Sequence, residues 1–102
     1  MEIKFKKSDN DLIIYLFGEL DECTSSNAKC VLDNLIMDNL NAQNIVFDLS
    51  GLSFMDSTGI GLLIGRYKKI KNFSIQTYIT GASIATEKVI ELAGLYNIMP
   101  KI

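Results

Sequence analysis

Apolar residues change their period along this chain, and that alternation restricts its fold more than any single motif does. Leu12-Ile13-Ile14-Tyr15-Leu16-Phe17, Asn44-Ile45-Val46-Phe47-Asp48-Leu49 and Ser74 to Thr80 read as short strands. The first is apolar throughout, as for a strand covered on both faces. After them come Ala28, Val31, Leu32, Leu35, Ile36 and Leu40, then Ile60, Leu63, Ile64, Tyr67 and Ile70, then Ile84, Val89, Ile90 and Leu92. Each set follows the 3.6-residue period of an amphipathic helix. Glu2 to Lys7 alternates as a leading strand joined through the polar turn Ser8 to Asp11, and Asn97 to Lys101 could supply a fifth strand. Pro100 would confine that strand to an edge or a strand end. The expected order is β-β-α-β-α-β-α-β, an α/β domain with a mostly parallel mixed sheet, right-handed crossovers and helices packed against the sheet. The chain of 102 residues fits one domain, 1–102.

Local signals place the boundaries. Thr24 or Ser25, Ser57 or Thr58, and Ser83 are expected to cap the three helices, because a hydroxyl oxygen can accept an amide hydrogen left free in the first turn. Asn39 to Asn44 reads as an exit loop, Gly51-Leu52-Ser53 as a turn after the third strand, and Gly94 as a left-handed helix end.

Composition excludes several functions. Hydrophobic residues make up 48% and charged residues 22%, with a single proline, so the chain is globular rather than disordered. The net charge is -2, and Lys6-Lys7, Lys68-Lys69 and Lys71 form only short basic runs, which argues against nucleic acid as the main partner and favours a protein or small ligand. No apolar run approaches the roughly 18 residues of a membrane span, and the N-terminus alternates charge with apolarity instead of forming a signal peptide. A cytoplasmic protein is expected. Cys23 and Cys30 are seven apart, about 10 Å along one helix face, too far for a disulfide, and two buried or half-buried thiols are expected. Histidine is absent, which removes Ser-His-Asp and Cys-His nucleophiles, His-ligated zinc and imidazole proton shuttles. Neither an enzyme, a cofactor nor a metal is expected.

The stretch Asp56-Ser57-Thr58-Gly59-Ile60-Gly61-Leu62-Leu63-Ile64-Gly65 concentrates the remaining signal. Its G-x-G-x-x-x-G spacing does not fit a dinucleotide fingerprint, and no acidic residue follows at the end of the next strand. Gly61 and Gly65 share a helix face, and each costs about 1 kcal/mol relative to alanine. Either that face packs closely on another backbone or it is kept flat for a partner. One cap needs one small polar residue, yet Asp56, Ser57 and Thr58 stand in a row, leaving a hydroxyl free for a partner or for phosphorylation beside the helix amides. Gly18-Glu19-Leu20-Asp21 also ends a strand and opens a helix. In a parallel sheet Glu19, Asp21, Glu22, Asp48 and Asp56 could therefore form an acidic rim, or simply be solvated loop carboxylates, with no metal-ligand spacing visible.

Together "GELD" at 18–21, "IVFDLSGLSFMDSTGIGLLIGRYKKIK" at 45–71 and "ELAGLYNI" at 91–98 resemble the STAS domain of anti-sigma factor antagonists, nearest to the sporulation type, from about Lys4 to Ile98. The resemblance implies a regulatory switch that binds an anti-sigma factor which is also a serine kinase, and so frees a sigma factor. It implies phosphorylation by that kinase on the serine after the motif aspartate, here Ser57, and restoration by a serine phosphatase. Asp21 and Asp56 match the acidic positions beside that serine. Thr58, Gly59 and Gly61 would give the kinase steric access, with Thr58 the rival acceptor but expected to cap or pack locally. A monomer or weak dimer is expected. The sporulation and stress branches share the core motif, and G-R-Y-K favours the first. Two departures stand out: Glu22-Cys23 occupies positions where sporulation relatives often have histidines, and the further C-terminal helix of relatives is not in the chain, which leaves the cover of one sheet face open. The alternative reading is a structural STAS interaction module in a larger signalling assembly, without a phosphorylation cycle.

Overall fold

The computed structural model describes residues 1–102. The elements are β1 (Glu2–Ser8), β2 (Asp11–Leu20), α1 (Ser25–Met37), β3 (Asn44–Met55), α2 (Ser57–Lys71), β4 (Gln76–Thr80), α3 (Ile84–Ala93) and a short 3-10 turn, Leu95–Asn97. One four-stranded sheet runs β1-β2-β3-β4. β1 pairs antiparallel with β2, while β2 with β3 and β3 with β4 are parallel, the mixed α/β arrangement expected.

Strand alternation decides where the core lies. Leu12, Ile14 and Leu16 of β2, Ile45, Phe47 and Leu49 of β3 and Ile79 of β4 are fully buried, in one cluster with Leu32 and Ile36 of α1, Leu63 and Ile70 of α2 and Ile90 of α3. Of the residues between them, Ile13, Tyr15, Phe17, Asp48 and Tyr78 are only half-buried, and Val46 at the centre of the sheet is the one that is buried. The three helices thus cover one face, and β2 is not sandwiched on both as its composition suggests.

Three other expectations change. Asn97 to Lys101 does not form a fifth strand. Lys101 makes a single parallel bridge to Ile79, with the Pro100 carbonyl accepting from the Ile79 amide at 3.0 Å and the Ile102 amide donating back to Ile79 at 3.0 Å. Pro100 has no amide hydrogen to extend the ladder. Gly51-Leu52-Ser53 is no turn, since β3 continues through it to Met55 with register shifts against β2. A Cβ on Gly51 would meet the Phe17 ring at 2.4 Å, so glycine lets that ring lie across the strand. Both cysteines are exposed, Cys23 because it precedes α1 and Cys30 because it lies on the outer side of that helix.

The helices also seat differently from their simple periodicity. Ile84 and Leu92 of α3 are 82% and 91% exposed, and the helix is anchored by Thr86, Val89 and Ile90 instead. On α2, Arg66 is buried and its Nε lies 2.9 Å from Asp33 of α1, with Lys69 at 3.3 Å from the same oxygen. This ionic contact joins the two helices whose N-termini form the site described next.

Candidate functional site

Two parallel strands deliver their next residues to one corner of the molecule. Leu20 at the end of β2 is the register partner of Met55 at the end of β3, so Asp21 and Asp56 leave the sheet side by side. Each aspartate then folds back on its own backbone. Asp21 Oδ1 accepts from the amides of Cys23 at 2.9 Å and Thr24 at 3.1 Å, and the Thr24 hydroxyl donates to the Glu19 carbonyl at 2.9 Å. Asp56 Oδ1 accepts from the amides of Thr58 at 2.9 Å and Gly59 at 3.1 Å.

Asp56 is therefore the cap of α2, not Ser57 or Thr58. The cap of α1 likewise differs: Thr24 occupies the position without bonding a helix amide, and neither it nor Ser25 does the work assigned to it. Only the third assignment stands, with Ser83 Oγ accepting from the Thr86 amide at 3.2 Å. An aspartate can reach the second and third amides from an extended backbone, and Asp56 has that conformation with φ -110° and ψ -169°.

This capping frees Ser57. It is exposed at the first position of α2, with the Thr58 and Gly59 amides behind it already committed to Asp56. A phosphate on Ser57 would meet an occupied helix terminus and a neighbouring carboxylate, rather than open amides. Thr58 is exposed as well and is not a cap; it lines a shallow groove with Leu62 of α2 and Ser25, Ser26 and Lys29 of α1.

The glycines divide into two kinds. Gly59 is buried, and a Cβ there would lie 2.6 Å from Met55 Cγ and 2.9 Å from the Leu20 carbonyl oxygen. It seats α2 on the strand ends and is not open to a partner, contrary to its expected role in access. Gly61 and Gly65 have nothing within 4 Å of the corresponding positions, so close packing does not explain them. Ser57, Gly61 and Gly65 fall four apart on one helix face, which Ile64 and the exposed Lys68 share, and the two glycines leave open space beside the serine.

Not all of the acidic residues share the corner. Glu19 and Glu22 are exposed near Asp21, but Asp48 lies eight residues before Asp56, facing away from the helices and accepting from the Ser50 amide at 2.9 Å. The groove is not legible in the sequence, because Lys29 and Thr58 meet only when α1 and α2 pack. The Asp33–Arg66 contact is hidden for the same reason.

The family model for the STAS domain matches residues 2–102, essentially the whole chain. The chain belongs to the STAS domain family. An anti-sigma F factor antagonist of Paenibacillus polymyxa is 32% identical to this STAS domain over 100 residues, covering 98% of it and 85% of the relative. An anti-sigma-B factor antagonist of Staphylococcus aureus is 30% identical over 99 residues, covering 97% and 90%. The STAS domain also superposes on the unphosphorylated anti-sigma factor antagonist SpoIIAA with a TM-score of 0.80 at 26% identity, covering 99% of this chain and 88% of that one. The phosphorylated Bacillus SpoIIAA structure gives 0.71 at 26% identity, covering 99% and 91%. No helix of the STAS domain is long and apolar enough to cross a membrane.

Proposed function

We propose that this STAS domain is an anti-sigma factor antagonist whose binding surface is the corner formed by Asp21, Asp56 and Ser57 with the open Gly61 face of α2, and that phosphorylation of Ser57 switches it off. The observation that carries the reading is the position of Ser57, exposed beside a cap that uses Asp56 and not the serine. The partner is an anti-sigma factor with serine kinase activity, and its capture releases a sigma factor. In the switching step the Ser57 oxygen attacks the terminal phosphorus of ATP, ADP departs with the bridging oxygen, and the hydroxyl proton passes to a base on the kinase. A serine phosphatase reverses the result by hydrolysis.

The chemistry of release follows from charge. Phosphoserine adds about two negative charges. Two unit charges about 4 Å apart interact by about 1 kcal/mol in water and about 4 kcal/mol at an effective dielectric of 20. Against an acidic group of the partner at that distance, repulsion of that size weakens binding by roughly fivefold to several hundredfold. Asp56 holds the amides a phosphate would otherwise use, so the added charge stays outward and the backbone need not move.

The test combines this protein with an anti-sigma kinase and ATP, maps the phosphate by mass spectrometry, and compares binding of Ser57→Ala and Ser57→Asp. Phosphate on Ser57, binding by the alanine variant and loss of binding by the aspartate variant are expected. Intact binding with no phosphate transfer would instead identify a structural interaction module, and retained binding by Ser57→Asp would overturn the repulsion mechanism.

A further inference from the structure

β1 is hydrogen-bonded on one side only, leaving the full backbone edge of Glu2–Ser8 unpaired, and Phe5 on that edge is 55% exposed. An unpaired edge carrying a large apolar side chain is a ready template for another strand. Register with β2 fixes which way each residue points: Glu2, Lys4 and Lys6 share the open sheet face with Phe17, Tyr15 and Ile13, while Ile3 and Phe5 share the helix-covered face with Leu16 and Ile14.

We propose that the strand which completes this edge is β1 of a second copy of the same chain, antiparallel about a two-fold axis at Lys4. In that register Glu2 faces the partner's Lys6, and Ile3 faces the partner's Phe5. Each charge pair lies on the open face and each apolar pair on the helix face, and the two-fold repeats both contacts. Cross-strand pairs of these kinds stabilise antiparallel ladders, and like charges directly opposite oppose them. Sliding the strands two residues toward their C-termini would set Lys4 against the partner's Lys6. Of the three lysines on this edge that would usually guard against such pairing, Lys7 falls at the end of the ladder opposite the partner's Met1, outside the paired residues 2 to 6. Lys6 is neutralised across the axis. Lys4 leans inward, its Nζ 5.7 Å from the centroid of the Phe17 ring, so the ammonium at the axis is drawn over β2 and away from its symmetry mate.

Because directly opposed residues share a face, both helix layers lie on the same side of the joined eight-stranded sheet. The two Ser57 corners point to opposite ends and stay free, so the inference does not depend on the function proposed above.

Sedimentation velocity of the whole chain, from micromolar to millimolar concentration, tests this pairing. The weight-average mass should rise reversibly above the 11.4 kDa of one chain. Glu2→Lys and Lys6→Glu should each weaken the dimer at least about tenfold, since symmetry doubles every like-charge contact, and E2K/K6E together should restore it. Glu2 and Lys6 are exposed, so circular dichroism should show all variants folded. A wild-type chain monomeric at every concentration, a dimer indifferent to the single substitutions, or a double variant that stays monomeric would overturn the proposal. So would a dimer abolished by Leu92→Glu alone, which would place the interface on α3.

Discussion

Leu20 and Met55 are register partners at the ends of β2 and β3, and the Leu20 carbonyl accepts the amide of Asp56 at 3.4 Å. Gly59 rests against both residues, which makes this three-way contact the point where α2 is fixed to the sheet. Gly59→Ala should therefore destabilise the protein although alanine is the better helix former. A Cβ 2.9 Å from a backbone oxygen cannot be relieved by a side-chain rotation. A net loss of about 1–3 kcal/mol is expected from overpacking, read as a drop of several degrees in the thermal midpoint.

Gly61→Ala and Gly65→Ala should do the reverse. Both positions open onto empty space, so nothing offsets the gain in helix propensity and the loss of unfolded-chain freedom. Each should stabilise by about 0.5–1 kcal/mol in chemical denaturation. A partner seated on that face would meet the added methyl at Gly61, so the same variant should bind its anti-sigma factor more weakly. Stabilisation with unchanged binding would remove Gly61 from the interface.

The Asp33–Arg66 contact should be costly to break from one side. Arg66 is only 7% exposed, and Asp33→Ala would leave its guanidinium buried opposite the Lys69 ammonium. Breaking a fully buried pair costs about 3–5 kcal/mol, and partial exposure of Asp33 places the loss at about 2–3 kcal/mol. Arg66→Met combined with Asp33→Leu should recover most of it in equilibrium urea unfolding, because no uncompensated charge remains.

The end of the chain contributes a pH dependence. The hydrogen bond from Lys101 holds Glu87 below the usual carboxylate range, and that same bond, 2.9 Å long, raises Lys101 above the ordinary lysine value. Glu87 binds its proton more weakly when folded, so its contribution is present above the ordinary carboxylate pKa and disappears as pH falls through the lowered one. Lys101 contributes below the ordinary lysine pKa and ceases to do so as pH rises through its raised value. Stability from the pair is level through neutrality and declines at both extremes. Glu87→Gln should flatten the acid limb of the unfolding midpoint against pH, by a small amount because both groups meet solvent.

The sequence by itself determined the order of the elements from β1 through α3, because the change between 2.0 and 3.6 residue periods is a local property that each segment carries. It also singled out Asp56-Ser57-Thr58-Gly59, where three small polar residues exceed what one helix start requires, and the resemblance at 45–71 leads to the family that the comparisons show. What only the tertiary structure decided depends on which surfaces meet. Whether Leu12 to Phe17 is covered on one face or two, whether Gly59 is buried while Gly61 is bare, and which of three candidate oxygens caps α2 are questions about neighbours distant in the chain. Pro100 carries its constraint in the sequence, but the single bridge it permits required Ile79 to lie beside it. Asp33 and Arg66, or Lys29 and Thr58, are ordinary polar residues until α1 packs on α2, since charge and exposure are settled by the partner across the gap and not by the residue alone.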